Sequence, residues 1–204
     1  MEFFRGDLSP EPRIKLTRAM MEAARIPEMY WDCEAGKIPE TAQHYKALKA
    51  YVDDLPARDK AGKGLYLYGP YGRGKSGAAV GILKEAMRRG GRGMFIHALE
   101  LETVFGKHLD EPYRQAVLKT QFLVFDDVGA ERSISWSPQW IETIMKLRIS
   151  KRLPTLMTSN DSPEDFIKRI KSIGSIFAGY YDDVEVVGHN WRLDGPPPPS
   201  VDKK

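Results

Sequence analysis

The stretch Gly69-Pro70-Tyr71-Gly72-Arg73-Gly74-Lys75-Ser76 limits what this chain can fold into more than any other. A glycine, four residues and then Gly-Lys-Ser form a loop whose backbone N–H groups close around phosphate. Such a loop needs a strand before it and a helix after it. Leu65-Tyr66-Leu67-Tyr68 is a short apolar run of the kind buried on both faces of a parallel sheet, and Ser76 to Met87 carries helical spacing. The glycines let the chain turn tightly, and the helix start adds partial positive charge. Lys75 is expected to reach the β- and γ-phosphates, and Ser76 to offer its hydroxyl to Mg²⁺. The expected cradle runs from Gly69 to Gly77 and includes Pro70, Tyr71 and Arg73.

Further strands are expected at Met94 to His97, Gln121 to Asp127, Pro154 to Asn160 and Val184 to Val187. Helical stretches separate them: Leu99 to Leu109, Pro112 to Lys119, Ser137 to Arg152, and one opened by Ser162-Pro163-Glu164-Asp165 with its cap, proline and first-turn acids. Alternation of this kind makes an α/β fold, a mostly parallel five-stranded sheet between two helical layers. Ahead of it, Glu11 to Arg25 reads as an amphipathic helix, either packed on its own domain or docking a partner. Thr41 to Val52 reads as a second helix, closed by Pro56. Residues 1–60 thus form a short helical N-terminal region, 61–193 the core, and 194–204 a proline-rich, disordered tail.

An apolar strand that ends in Asp126-Asp127 delivers carboxylates to the sheet edge where α/β proteins bind ligands. Asp126 is expected beside Mg²⁺. Successive strand residues point to opposite faces, so Asp127 takes a different part, orienting or activating the attacking water. Asn160 ends another strand at that edge, within reach of the γ-phosphate or the water, although an asparagine before a helix cap is also ordinary turn chemistry. Phosphoryl transfer also calls for an arginine, in cis or from a neighbouring subunit, and Arg148, Arg169 and Arg192 are the candidates. Lys84, Arg88, Arg89 and Arg92 form a basic cluster, which is either a solvated helix end or a contact for nucleic-acid phosphates.

Taken together, these motifs resemble the AAA+ ATPases of the DnaC-type helicase loaders, close to the IstB-type transposition helpers. The loop at Gly69 to Ser76 looks like their Walker A, and Phe125-Asp126-Asp127-Val128-Gly129-Ala130-Glu131 is similar to their Walker B. Leu153 to Asn160 looks like their sensor strand, and Arg148 falls where they carry an arginine before it. Phe166-Ile167-Lys168-Arg169-Ile170 resembles their arginine-finger helix, and Gly188 to Arg192 their C-terminal Gly-x-x-x-Arg ending. The resemblance implies ATP and Mg²⁺ bound between self-associating subunits, Arg169 acting in trans with Arg192 as second choice, and no C-terminal helical lid. It further implies engagement of single-stranded DNA and placement of a replicative DNA helicase on it. An IstB-like helper assembling on duplex DNA is the alternative, and an adaptor that uses ATP only as a switch is a third.

Composition narrows the rest. No apolar run approaches the roughly 18 residues of a membrane span, and a cytoplasmic setting without membrane contact is expected. Cys33 is the single cysteine, and the four histidines are scattered, so neither a disulfide framework nor a cysteine zinc site can be built within the chain. A net charge of +3 neither demands nor forbids a nucleic-acid partner.

Overall fold

The computed structural model describes residues 7–106, 110–130, 137–170, 173–190 and 193. Its five strands are β1 (Gly64–Tyr68), β2 (Gly93–His97), β3 (Phe122–Asp126), β4 (Thr155–Ser159) and β5 (Tyr181–Glu185). They lie in the order β2-β3-β4-β1-β5, every neighbouring pair parallel. The apolar runs of β1, β3 and β4 fill its middle, where both faces are covered. Leu65, Leu67, Phe122, Val124 and Leu156 feed the core on one face, and Tyr66, Leu123, Phe125 and Met157 the core on the other.

On the first face lie α1 (Arg18–Ala23), α2 (Tyr45–Asp53), α3 (Leu55–Ala61) and α4 (Lys75–Arg88). On the second lie α5 (Leu101–Phe105), α6 (Glu111–Lys119), α7 (Ser137–Ser150), α8 (Pro163–Arg169) and α9 (Gly174–Tyr180). α4 begins directly after Gly74, whose φ of +89° suits glycine. It stops where the N–H groups of Gly90 and Gly91 fold back onto Met87 O and Ala86 O, the glycine stop expected after its basic last turn.

The N-terminal region has a different form from the one its sequence suggests. Helix occupies only Arg18–Ala23, capped by Thr17, because residues 9–14 run beside the end of α4 and give the N–H groups of Ser9, Arg13 and Ile14 to Arg88 O and Arg89 O. Leu8, Ala24 and Ile26 are buried in the same core as Leu48, Tyr51 and α4. Pro56 opens α3 rather than closing a helix, since the second position of a helix needs no N–H donor. β5 starts three residues earlier than Val184: as an edge strand it pairs through backbone with β1, while Asp182 is held by Arg58 of α3 and Asp183 is exposed. α9 has no counterpart in the sequence expectations. The expected disordered tail and Arg192 lie outside the described residues.

Candidate nucleotide site

The strand order decides which side chains meet. The chain leaves β1 through the phosphate loop and returns to β3 only after β2, so that β4 is inserted between β1 and β3. Whatever ends β4 must stand between the lysine after β1 and the acids after β3. That residue is Asn160. Its Oδ1 accepts from Lys75 Nζ at 2.8 Å, and its Nδ2 donates to Asp127 Oδ1 at 3.1 Å. Lys75 Nζ also donates to the carbonyls of Gly69 and Pro70, both at 2.8 Å, so this buried ammonium is held by oxygens on three sides.

Asp126 is 4% exposed and accepts from Thr158 Oγ1 at 2.6 Å. Burial lifts its carboxyl above the ordinary aspartate range, against hydrogen bonds from Thr158 and Ser76 that pull it down. A carboxylate held this deep beside a serine hydroxyl is the hard-oxygen pair a Mg²⁺ ion bound to phosphates requires, so Ser76 and Asp126 fit that cation. Asp127 lies just past the strand with φ +54°, a backbone turn that carries it out of the alternation and onto the same cavity. Its N–H donates to Thr158 Oγ1 at 2.9 Å. His97 Nε2, at the end of β2, stands 3.8 Å from Asp127 Oδ2.

These groups line a cavity of about 900 Å³. The phosphate loop from Tyr71 to Gly77 forms one side, and the chain ahead of β1, including Pro27, Met29, Ile38 and Pro39, forms another. The loop is braced from outside by the chain after β5: Arg73 donates to Gly188 O, and a Cβ on Gly72 would lie 2.3 Å from Asn190 Oδ1.

Lys75, Ser76, Asp126, Asp127 and Asn160 therefore converge, whereas the arginines do not. Arg148 lies at the opposite edge of the sheet, 0% exposed, donating to the carbonyls of Val117, Thr120, Gln121 and Pro154 and to Thr155 Oγ1. The expectation that it contacts nucleotide is corrected: all its donors are spent on tying α6, β3 and β4 together. Arg169 sits at the right edge, 3.5 Å from Asp161 Oδ2, and does not line this cavity. Three of the four residues of the basic cluster are spent internally, since Lys84 and Arg88 bind Glu34 and Arg89 binds Glu85, while Arg92 is exposed. Sequence reasoning missed Thr158, which serves both acids, and His97. The apolar strands preceding each residue were the signal available for them.

The chain is 34% identical over 109 residues, 51% of its length, to the replicative helicase loader DnaI of Bacillus subtilis. It spans 35% of that relative's length. Its structure matches a crystal structure of the DnaC helicase loader with a TM-score of 0.69 and 23% identity, covering 79% of this chain and 100% of that one. The chain shares the fold of that helicase loader structure. The replication initiator DnaA bound to AMPPCP and single-stranded DNA shares this fold at a TM-score of 0.64 and 17% identity, over 78% of this chain and 51% of that one. No family model matches the chain. Among the described residues, no helix is long and apolar enough to cross a membrane.

Proposed function

We propose that this chain binds ATP in the cavity above the phosphate loop, hydrolyses it, and uses the cycle to place a replicative DNA helicase on single-stranded DNA. The observation that carries the reading is the continuous line Lys75, Asn160, Asp127 across the mouth of three strands, with Asp126 and Ser76 behind it. Lys75 binds the β- and γ-phosphate oxygens, and the backbone N–H groups of Gly72 to Ser76 surround them. Mg²⁺ held by Ser76 and Asp126 would supply charge compensation for the phosphates. Asp127 accepts the proton of the attacking water, and Asn160 fixes its orientation. The base lies against Pro27, Met29, Ile38 and Pro39, the apolar side of the cavity.

The two arginines that line the cavity, Arg25 and Arg73, are bound to Glu100 and to Gly188 O, and Arg169 does not line it. This supports assembly of subunits in which Arg169 exchanges Asp161 for a neighbour's phosphate, with Arg192 as the second choice. The sequence similarity to DnaI and the fold shared with DnaC support the helicase as partner, and the DnaA likeness supports single-stranded DNA.

Titration with a fluorescent ATP analogue in Mg²⁺ tests the reading, with Lys75→Ala as control. Binding by the native chain and its loss in the variant are expected; equal affinity in both overturns the assigned site. Mixing with a replicative helicase, single-stranded DNA and duplex DNA then separates the loader from a duplex-assembling helper. Filaments on duplex without helicase capture would reject the loader.

A further inference from the structure

Lys84 lies in the third turn of α4, and its side chain is 2% exposed, yet it touches neither the phosphate loop nor Asp126 or Asp127. All three of its N–H donors go to the chain ahead of β1: to Trp31 O, to Cys33 O at 2.8 Å, and to Glu34 Oε1 at 2.7 Å. Arg88, one turn further, grips the Glu34 carboxylate with two nitrogens at 2.6 and 2.8 Å. Arg88 holds only a side chain. Lys84 holds backbone carbonyls and so sets the path of the main chain itself.

The face of α4 is shaped for this contact. A Cβ on Gly81 would lie 2.7 Å from Ala35 N, and one on Gly77 would lie 3.1 Å from Cys33 Sγ. The segment therefore lies flat on the helix whose first residues are Lys75 and Ser76. Asp32, Cys33, Glu34, Lys37 and Ile38 of this segment also line the cavity. One buried ammonium thus joins the phosphate-binding helix to the far wall of the cavity that helix opens.

We propose that Lys84 is a positioning residue that holds residues 31–38 as the base-side wall of the nucleotide cavity, so that it governs affinity for the base and not for the phosphates. The inference rests on the ATP-binding reading. Removing the ammonium leaves two part-buried carbonyls without their donor, and they turn toward water and carry the wall with them. The phosphate loop, fixed by Gly74, Asn160 and the chain after β5, stays in place.

The test compares two ligands on the full chain, ATP and inorganic tripolyphosphate, which has no base. Lys84→Met is expected to weaken ATP about tenfold or more while tripolyphosphate changes by less than about twofold, because only the preorganised wall is lost. A general loss of fold would lower both together. Gly81→Ala serves as the second variant: it raises intrinsic helix propensity, so the helix itself is retained, but its methyl pushes Ala35 off α4. It is expected to show the same selective loss of ATP. If the native chain binds ATP and either folded variant keeps native affinity, or loses both ligands equally, the inference is overturned. Should the native chain bind neither ligand, the failure belongs to the functional reading instead.

Discussion

Thr158 shows how much one hydroxyl can hold. It donates to Asp126 and accepts from the Asp127 N–H, so a single buried oxygen spaces the two acids. Thr158→Val keeps the shape and removes both bonds; a loss of about 1–3 kcal/mol in urea unfolding is expected, together with slower ATP turnover. Asp126 works against stability. Its folded-state affinity for a proton is raised by burial, so this one group's contribution favours the fold as pH falls through the carboxylate range and is lost as pH rises to neutral. Asp126→Asn is accordingly expected to raise the melting temperature of the nucleotide-free protein at pH 7 while abolishing the Mg²⁺ dependence of ATP binding. Arg148 carries the same burial penalty on its charge, its guanidinium lowered to about 9, yet it satisfies four carbonyls. Arg148→Ala is expected to destabilise the fold by about 3 kcal/mol or more in chemical denaturation without changing ATP affinity of the folded fraction. A role at the nucleotide was the natural reading of Arg148 from sequence, because nothing local distinguishes an arginine that reaches phosphate from one that gathers carbonyls of three distant elements. The phosphate loop and Asp126 were legible for the opposite reason: their chemistry is written in consecutive residues bounded by an apolar run.

At the scale of elements, pairing order does what no local pattern states. β4 lies between β1 and β3, and this alone makes Asn160 the bridge from Lys75 to Asp127. The sequence displayed a polar end to an apolar strand but not its neighbours. β5 was misplaced by three residues because its acids hide an edge strand that needs only backbone pairing. Beyond β5, residues 186–190 rest on the phosphate loop: Val186 N donates to Tyr68 O at 2.7 Å, and Arg73 reaches Gly188 O. Gly72 is required there twice, by its φ of +77° and by Asn190 beside it. Gly72→Ala is expected to weaken both ATP and tripolyphosphate by about tenfold or more, since the loop and its brace cannot both keep their places. That outcome, measured with the same two ligands, differs from the base-selective loss expected at Lys84.

In the whole molecule, the region ahead of β1 has no interior of its own among the described residues. Leu8, Ala24 and Ile26 share a core with α2, α3 and α4, and Phe95 N in β2 donates to Ala24 O at 2.8 Å. A single cooperative transition in calorimetry is expected, with no separate unfolding of residues 7–60. The division at residue 60 follows the helical pattern and Pro56 ahead of the first strand, and such local signals do not register which surface an N-terminal helix covers. The ammonium of Lys75 already has Gly69 O, Pro70 O and Asn160 Oδ1 as partners. An arriving triphosphate must therefore outcompete three oxygens belonging to the protein, and loading becomes a swap of partners in which part of the attraction is cancelled by what is given up. On the proposed reading, Asn160 Oδ1, let go by the lysine in that swap, becomes available to a water molecule once phosphate is bound.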